Sequence, residues 1–223
     1  MDKVPFSVYD FFAYLSSGSI LLATFDYIFG FGLLSQERVA PLFAVLLVVL
    51  AYVCGHIAAH FSSFLYEHLA VARLMKRPND VLMGGSPRWR LHRVIFPQFC
   101  RPLPSEIQIR VNFRAQSRAF EGSGEGLFLH CYAVVSADDN RQNRLDGIRN
   151  QYGFARNMSF VFLVAAVGIV IAHFYGVHSV RLRWAVLSEF ASITLFYRYL
   201  KFFRQFSYEL FLRYAELEPV KVS

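Results

Sequence analysis

Two histidines four residues apart, His56 and His60, stand in a long apolar stretch, with Tyr52 before them and Ser63 and Glu67 after. At about 100° per residue in an α-helix, these five side chains fall within an arc of about 80°, a polar stripe on an otherwise apolar rod. Polar stripes and lipid are incompatible, so three chemistries compete for this one. The imidazoles can hydrogen-bond neighbouring helices, line a water-filled path through an oligomer, or form a His-x-x-x-His metal pair. The spacing does place two imidazoles together, but no further His or Cys completes a ligand set, and Glu67 lies nearly two turns away near the interface. No metal and no other cofactor is therefore expected. Two more carboxylates, Asp26 and Glu189, also stand in apolar segments. His56 and His60 are the nearby groups able to pair with them as cations, so one of the two should approach the stripe.

The elements that must carry these groups follow from composition. The chain has 223 residues, 55% hydrophobic and 17% aromatic but only 17% charged, against about 25% charged in an average soluble domain. That balance excludes a disordered tail, a collagen-like chain and a disulfide-rich secreted domain. Cys54, Cys100 and Cys131 are too widely spaced for a zinc knuckle and read as three reduced thiols.

A bilayer core about 30 Å thick needs about 20 apolar residues in helix. Phe11 to Leu34 supplies them with one charge, Asp26, and Pro41 to Tyr66 with none, the two joined by a tight connection from Ser35 to Ala40. A third stretch runs from Met158 to Val177. In a fourth, only 14 residues separate Arg183 from Arg198, and it spans if those two arginines snorkel to opposite interfaces. Lys and Arg number 20 on the side of the termini and the long loop and three on the other, so the positive-inside rule places both termini in the cytoplasm. The amino terminus, with one Lys against two Asp, is not read as a cleavable signal peptide.

The expected organisation is therefore all-α: a polytopic transmembrane helical bundle of four spans with a small cytoplasmic helical module. Residues 1–69 and 158–200 form two membrane hairpins, 70–157 the module, and 201–223 a cytoplasmic helix. The module opens with a proline-rich stretch read as loop. It continues with a helix starting at Pro104 and Ser105, a Gly-rich break at Gly122 to Gly126, a helix from Leu127 to Ser136, and a third from Asp138 into the membrane. Tyr199, Phe203, Phe206, Leu210 and Tyr214 recur at helical spacing beyond the fourth span and must pack on the module, on a second copy, or on lipid.

Nucleotide and nucleophile motifs are absent. GSGEG lacks the Lys-Ser/Thr of a phosphate loop and a preceding strand, so it reads as a turn, and no catalytic residue is expected. The loop's 14 basic residues face seven acidic ones. With Trp89, Phe96, Phe99 and Phe113 interleaved among arginines, it suits anionic headgroups better than direct nucleic-acid binding. Arg110, Arg114 and Arg118 are the candidates for receiving a cytosolic signal.

The segments FSVYDFFAYLSSGSILL, GHIAAHFSSFLYE and GFARNMSF resemble a loosely defined group of uncharacterised bacterial four-span membrane proteins. Similar small multi-span proteins occur as membrane effectors of prokaryotic anti-phage immune systems, paired with a cytosolic sensor such as an inactive Argonaute or a nucleotide-signalling enzyme. The chain departs from many of the group at Ser17-Gly18, where they carry Pro-Gly. The resemblance implies a channel-like or membrane-disrupting effector and carries over no catalytic residue. The expectation is a non-enzymatic, homo-oligomeric pore in the bacterial inner membrane, with Asp26, Tyr52, His56, His60, Ser63, Glu67 and Glu189 lining or gating it. Its partners would be the lipid bilayer, further copies and a cytosolic sensor protein. The rivals are a non-conducting anchor that recruits a soluble protein and a membrane-embedded metal-dependent enzyme using His56 and His60.

Overall fold

The computed structural model describes residues 8–33, 40–86, 90–177 and 181–217. These residues are helical and contain no strand. The order is α1 (Val8–Phe29), α2 (Pro41–Ser62), a π-helical segment (Ser63–Met75), α3 (Pro78–Leu82), α4 (Arg90–Ile95), α5 (Ser105–Ser117), α6 (Glu125–Val135), α7 (Asp139–Phe174) and α8 (Leu182–Ala215). The connection expected from Ser35 to Ala40 lies outside the described residues except for Ala40, as do Leu34, Arg88, Trp89 and Pro219.

Among the described residues three helices are long and apolar enough to cross a membrane, over Phe11–Phe29, Pro41–Leu82 and Arg141–Phe174. The expected fourth, α8, is 34 residues long, but Arg183, Glu189 and Arg198 interrupt its apolar half, and it does not meet the same standard of length and hydropathy. The second helix also runs further than its composition suggested. It does not end at Tyr66 but continues to Met75 with i→i+5 bonding and closes with Lys76 N–H donating to the Val71 carbonyl at 2.8 Å. The proline-rich stretch read as loop holds the short helices α3 and α4.

The chain divides into two compact units. The first is Met1–Tyr66 with Gly153–Tyr199, the second Glu67–Tyr152 with Leu200–Ser223.

In the first unit the interior is made by small residues. On α2 the buried positions are Ala51, Gly55, Ala58, Ala59 and Ser62, leaving Val49, Val53, Ile57, Phe61 and, just beyond, Phe64 exposed. Small side chains let helix backbones approach closely where lipid supplies no hydrophobic drive between helices. A Cβ added at Gly18 of α1 would stand 1.7 Å from the Ala51 carbonyl oxygen, and one at Gly55 would stand 1.9 Å from that of Tyr14. Leu21, Ala58 and Val161 close one core cluster between α1, α2 and α7, and Ile169, Ala172 and Ala185 another.

The second unit has a core of its own, built from Leu82, Leu103, Val111, Leu127, Cys131, Val135 and Leu145 together with Phe206, Leu210, Phe211 and Tyr214 of α8. Of the three surfaces open to the carboxy-terminal stripe, Phe206, Leu210 and Tyr214 are thus buried against α5, α6 and α7. The module's segment 67–152 completes its core with side chains from the end of the chain. Pro78 and Pro104 start α3 and α5 where a missing N–H costs nothing. The turn expected at GSGEG is confined to its first three residues: Gly124 (φ 60°) directly precedes α6, and Glu125 and Gly126 already belong to that helix.

Candidate functional site

The polar stripe is real but faces outward. His56 and His60 are exposed and Tyr52 is half-buried, because the close approach of α1 claims the small-residue face of α2. The His56 ring stacks on Tyr14 of α1 with centroids 4.0 Å apart and meets Tyr52 edge-on at 4.6 Å, so aromatic contacts fix its plane. Among the described residues the ring of His60 meets only its neighbour Phe61 edge-on, at 5.8 Å. Ser63 closes α2 with α-helical backbone, its N–H donating to the Ala59 carbonyl, whereas Glu67 lies in the π-helical segment, where each turn holds more residues and an α-helical period no longer places it. Glu67 moreover belongs to the second unit, where it lines a cleft of about 240 Å³ with His68, Arg77, Asn79 and Glu125. Arg77 and Glu125 form an ion pair there.

Asp26 is engaged at the end of α1. Its carboxylate accepts the Leu33 N–H at 2.8 Å, and its backbone carbonyl accepts that of Gly30 at 2.8 Å, so it satisfies chain donors where the helix stops. It also lines a cavity of about 190 Å³ with Ser19, Leu47 and Ala51. Glu189 is close enough to Tyr66 to act on it electrostatically. Neither of these contacts is with His56 or His60.

The polar groups that the first unit does bury were missed in the sequence. Ser62 donates to Asn157 Oδ1 at 2.7 Å, and Arg156 reaches the same oxygen through Nε and Nη2 at 3.2 and 3.1 Å. Tyr66 Oη and Ser159 Oγ are 3.1 Å apart. Ser159 donates to the Ser192 carbonyl at 2.8 Å, and Ser192 donates back to the Ser159 carbonyl at 3.0 Å. Buried hydroxyls and amides satisfied in this way fix which faces of α2, α7 and α8 meet. The signal was present in GFARNMSF, where Arg, Asn and Ser interrupt the start of an apolar run.

In the second unit, two of the three receiver candidates converge. Arg114 of α5 and Arg118, which follows its last turn, are half-buried, and Arg110 is exposed. The Arg118 guanidinium lies 5.8 Å from the centre of the Tyr214 ring. A 3.0 Å hydrogen bond joins His130 Nε2 and Tyr214 Oη, while Phe120 stacks on the imidazole at 4.5 Å. Among the described residues Arg114 Nη1 is buried without a hydrogen-bond partner. Burial, and then the charge of Arg118, hold the His130 imidazole below its usual range, and burial raises the Tyr214 phenol. Burial pushes the adjacent Cys131 thiol up to about 12. Arg118 thus lies against the last turn of α8 beside the His130–Tyr214 bond.

Among the described residues no group of three or more His, Cys, Asp or Glu side chains is placed to hold a metal ion. No protein-family description, curated protein or solved structure matches the chain.

Proposed function

We propose that the chain is a non-enzymatic, four-span membrane effector whose copies associate through the His-bearing face of α2 and so enclose a path across the bilayer. One observation carries this reading: His56 and His60 are exposed among Val53, Ile57 and Phe61 on a helix of membrane-spanning length. An imidazole is costly to hold against hydrocarbon, so at membrane depth it faces protein or water. Between α1 and α2 the backbones are already in contact at Gly18 and Gly55, so a second copy is the natural source of both cover and path. In this reading α8 supplies the fourth span with Arg183 and Arg198 at opposite interfaces. Both termini and the second unit are cytoplasmic, and Arg114 and Arg118 transmit a cytosolic signal through the end of α8. The resemblance to anti-phage effectors supports the bacterial inner membrane as the setting and a cytosolic sensor as the partner.

The test is membrane potential in cells expressing the chain with and without the genes beside it, comparing wild type with the His56→Ala, His60→Ala double variant, alongside chemical crosslinking of the membrane fraction. Depolarisation that needs the trigger and is lost in the variant, with crosslinked oligomers in the wild type, supports a pore. An unchanged potential with the triggered protein verified in the membrane refutes it in favour of a non-conducting anchor, whose self-contained second unit would recruit a soluble partner.

A further inference from the structure

The second unit holds a groove of about 750 Å³ between the loop that precedes α5 and one face of α8. Gln98, Arg101 and Pro102 line one wall, and Arg204 and Tyr208 the other. Among the described residues no carboxylate lines it. The loop is pinned rather than draped. Leu103 is buried in the core, its N–H donates to the Leu82 carbonyl at 2.9 Å, and Phe99 and Cys100 are buried behind it. Pro102 and Pro104 fix its backbone further. Arg101 is left exposed on this rigid rim.

Arg204 faces it from α8. Its Nη2 donates to the Arg101 carbonyl at 2.9 Å, and its guanidinium lies 5.7 Å from the centre of the Tyr208 ring, one helical turn on. Those contacts orient the fork without using it up. Among the described residues Arg204 Nε is buried and has no hydrogen-bond partner. A half-buried cation beside a second cation, with no carboxylate among the described residues lining the groove, favours the arrival of an anion. The planar fork of arginine matches phosphate oxygens two at a time. The groove is far larger than one phosphate and falls in the range of small-molecule sites, so the anion belongs to something bigger, with the Tyr208 ring, Pro102 and Leu103 offering apolar contact.

The geometry points to a binding site for a phosphate ester, in which Arg204 and Arg101 clamp the phosphate and Tyr208 and Gln98 contact the group it carries. The ester is either a soluble nucleotide or the headgroup of an anionic phospholipid. The site is separate from Arg110, Arg114 and Arg118 and stands whether or not copies of the chain form a pore.

Isothermal titration calorimetry on the full-length protein in phosphatidylcholine nanodiscs distinguishes these sources. The titrants are AMP, short-chain phosphatidylglycerol and, as the zwitterionic control of no net charge, short-chain phosphatidylcholine. Binding of AMP supports a soluble nucleotide. Binding of phosphatidylglycerol, with neither AMP nor phosphatidylcholine bound, supports a headgroup. In either case Arg101→Gln, on an exposed side chain whose loss leaves the fold intact, should weaken binding about tenfold, the worth of one charge-assisted hydrogen bond. Arg204→Gln should weaken it further and Arg204→Lys should not rescue it. Absence of binding by both phosphate esters, or binding that survives Arg101→Gln and Arg204→Gln unchanged, overturns the proposal.

Discussion

Replacing Gly18 or Gly55 by alanine should pry α1 from α2. The added Cβ at Gly18 would stand 1.7 Å from the Ala51 carbonyl oxygen, 1.7 Å short of the 3.4 Å at which ordinary contact begins, and 2.7 Å from the Gly55 nitrogen. At Gly55 the obstacle is the Tyr14 carbonyl oxygen at 1.9 Å. Both obstacles are backbone and cannot rotate away, so the helices must separate by more than an ångström. A gap of that size forfeits much of the dispersion energy between the facing surfaces, and overpacking of this kind costs roughly 1–3 kcal/mol. Against it stands the better helix propensity of alanine, up to about 1 kcal/mol. We expect each variant to lose about 2 kcal/mol on this balance, and the double variant to lose clearly less than the sum, because one displacement makes room for both methyl groups. Gly147 and Gly153 of α7 have nothing within 4 Å of an added Cβ, so their alanine variants should gain about 0.5–1 kcal/mol. Unfolding from mixed micelles by dodecyl sulfate, followed by far-UV circular dichroism, measures all five. If Gly18→Ala and Gly55→Ala prove as stable as Gly153→Ala, the close crossing of α1 and α2 is refuted.

Three further outcomes follow from the buried polar groups. Cys131, fully buried with its thiol pushed up to about 12, should resist maleimide labelling in the native protein and react on unfolding, with intact mass as the readout. His130 is held below its usual 6.5 by burial, so the unfolded chain takes up the proton first. Stability contributed by the neutral imidazole is complete above 6.5 and declines as pH falls below it, and His130→Gln should flatten that decline in melting temperatures recorded between about pH 5 and pH 8. Asn157→Ala removes the acceptor shared by Ser62 and Arg156 and, because the Ser62 hydroxyl can turn to the Ala59 carbonyl, should cost about 0.5–1.5 kcal/mol in the same unfolding assay, whereas Thr194→Ala, whose hydroxyl bonds within its own helix to the Phe190 carbonyl, should cost little.

The helices were legible wherever a chain signal and a burial pattern agreed. Pro104-Ser105 opens α5 and the Gly-rich turn precedes α6, because missing or unhindered backbone groups act locally. The spacing of Phe206, Leu210 and Tyr214 declared a face to be covered, although it did not name the cover. The extension of the second helix through Met75 was hidden because π-helical bonding has no residue signature. The orientation of the stripe was hidden for a different reason. A helical wheel places His56 and His60 on one side of α2, but which side is buried was decided by Gly18 and Gly55. Serines were the least informative, since Ser17 and Ser62 both donate to carbonyls of their own helix. Only the neighbouring Asn157 distinguishes the second from the first.

The paired bonds between Ser159 and Ser192 bear on how α7 and α8 can move. Each hydroxyl donates to the other residue's carbonyl, so the two helices are pinned at one level like the leaves of a hinge. A piston stroke of either helix by one turn, about 5.4 Å, would break both bonds together and strand two hydroxyls in an apolar interior. A pivot about that level breaks neither. Relative movement of these two helices that keeps both bonds is therefore a tilt about residues 159 and 192, with displacement growing with distance from that fulcrum, and not a slide.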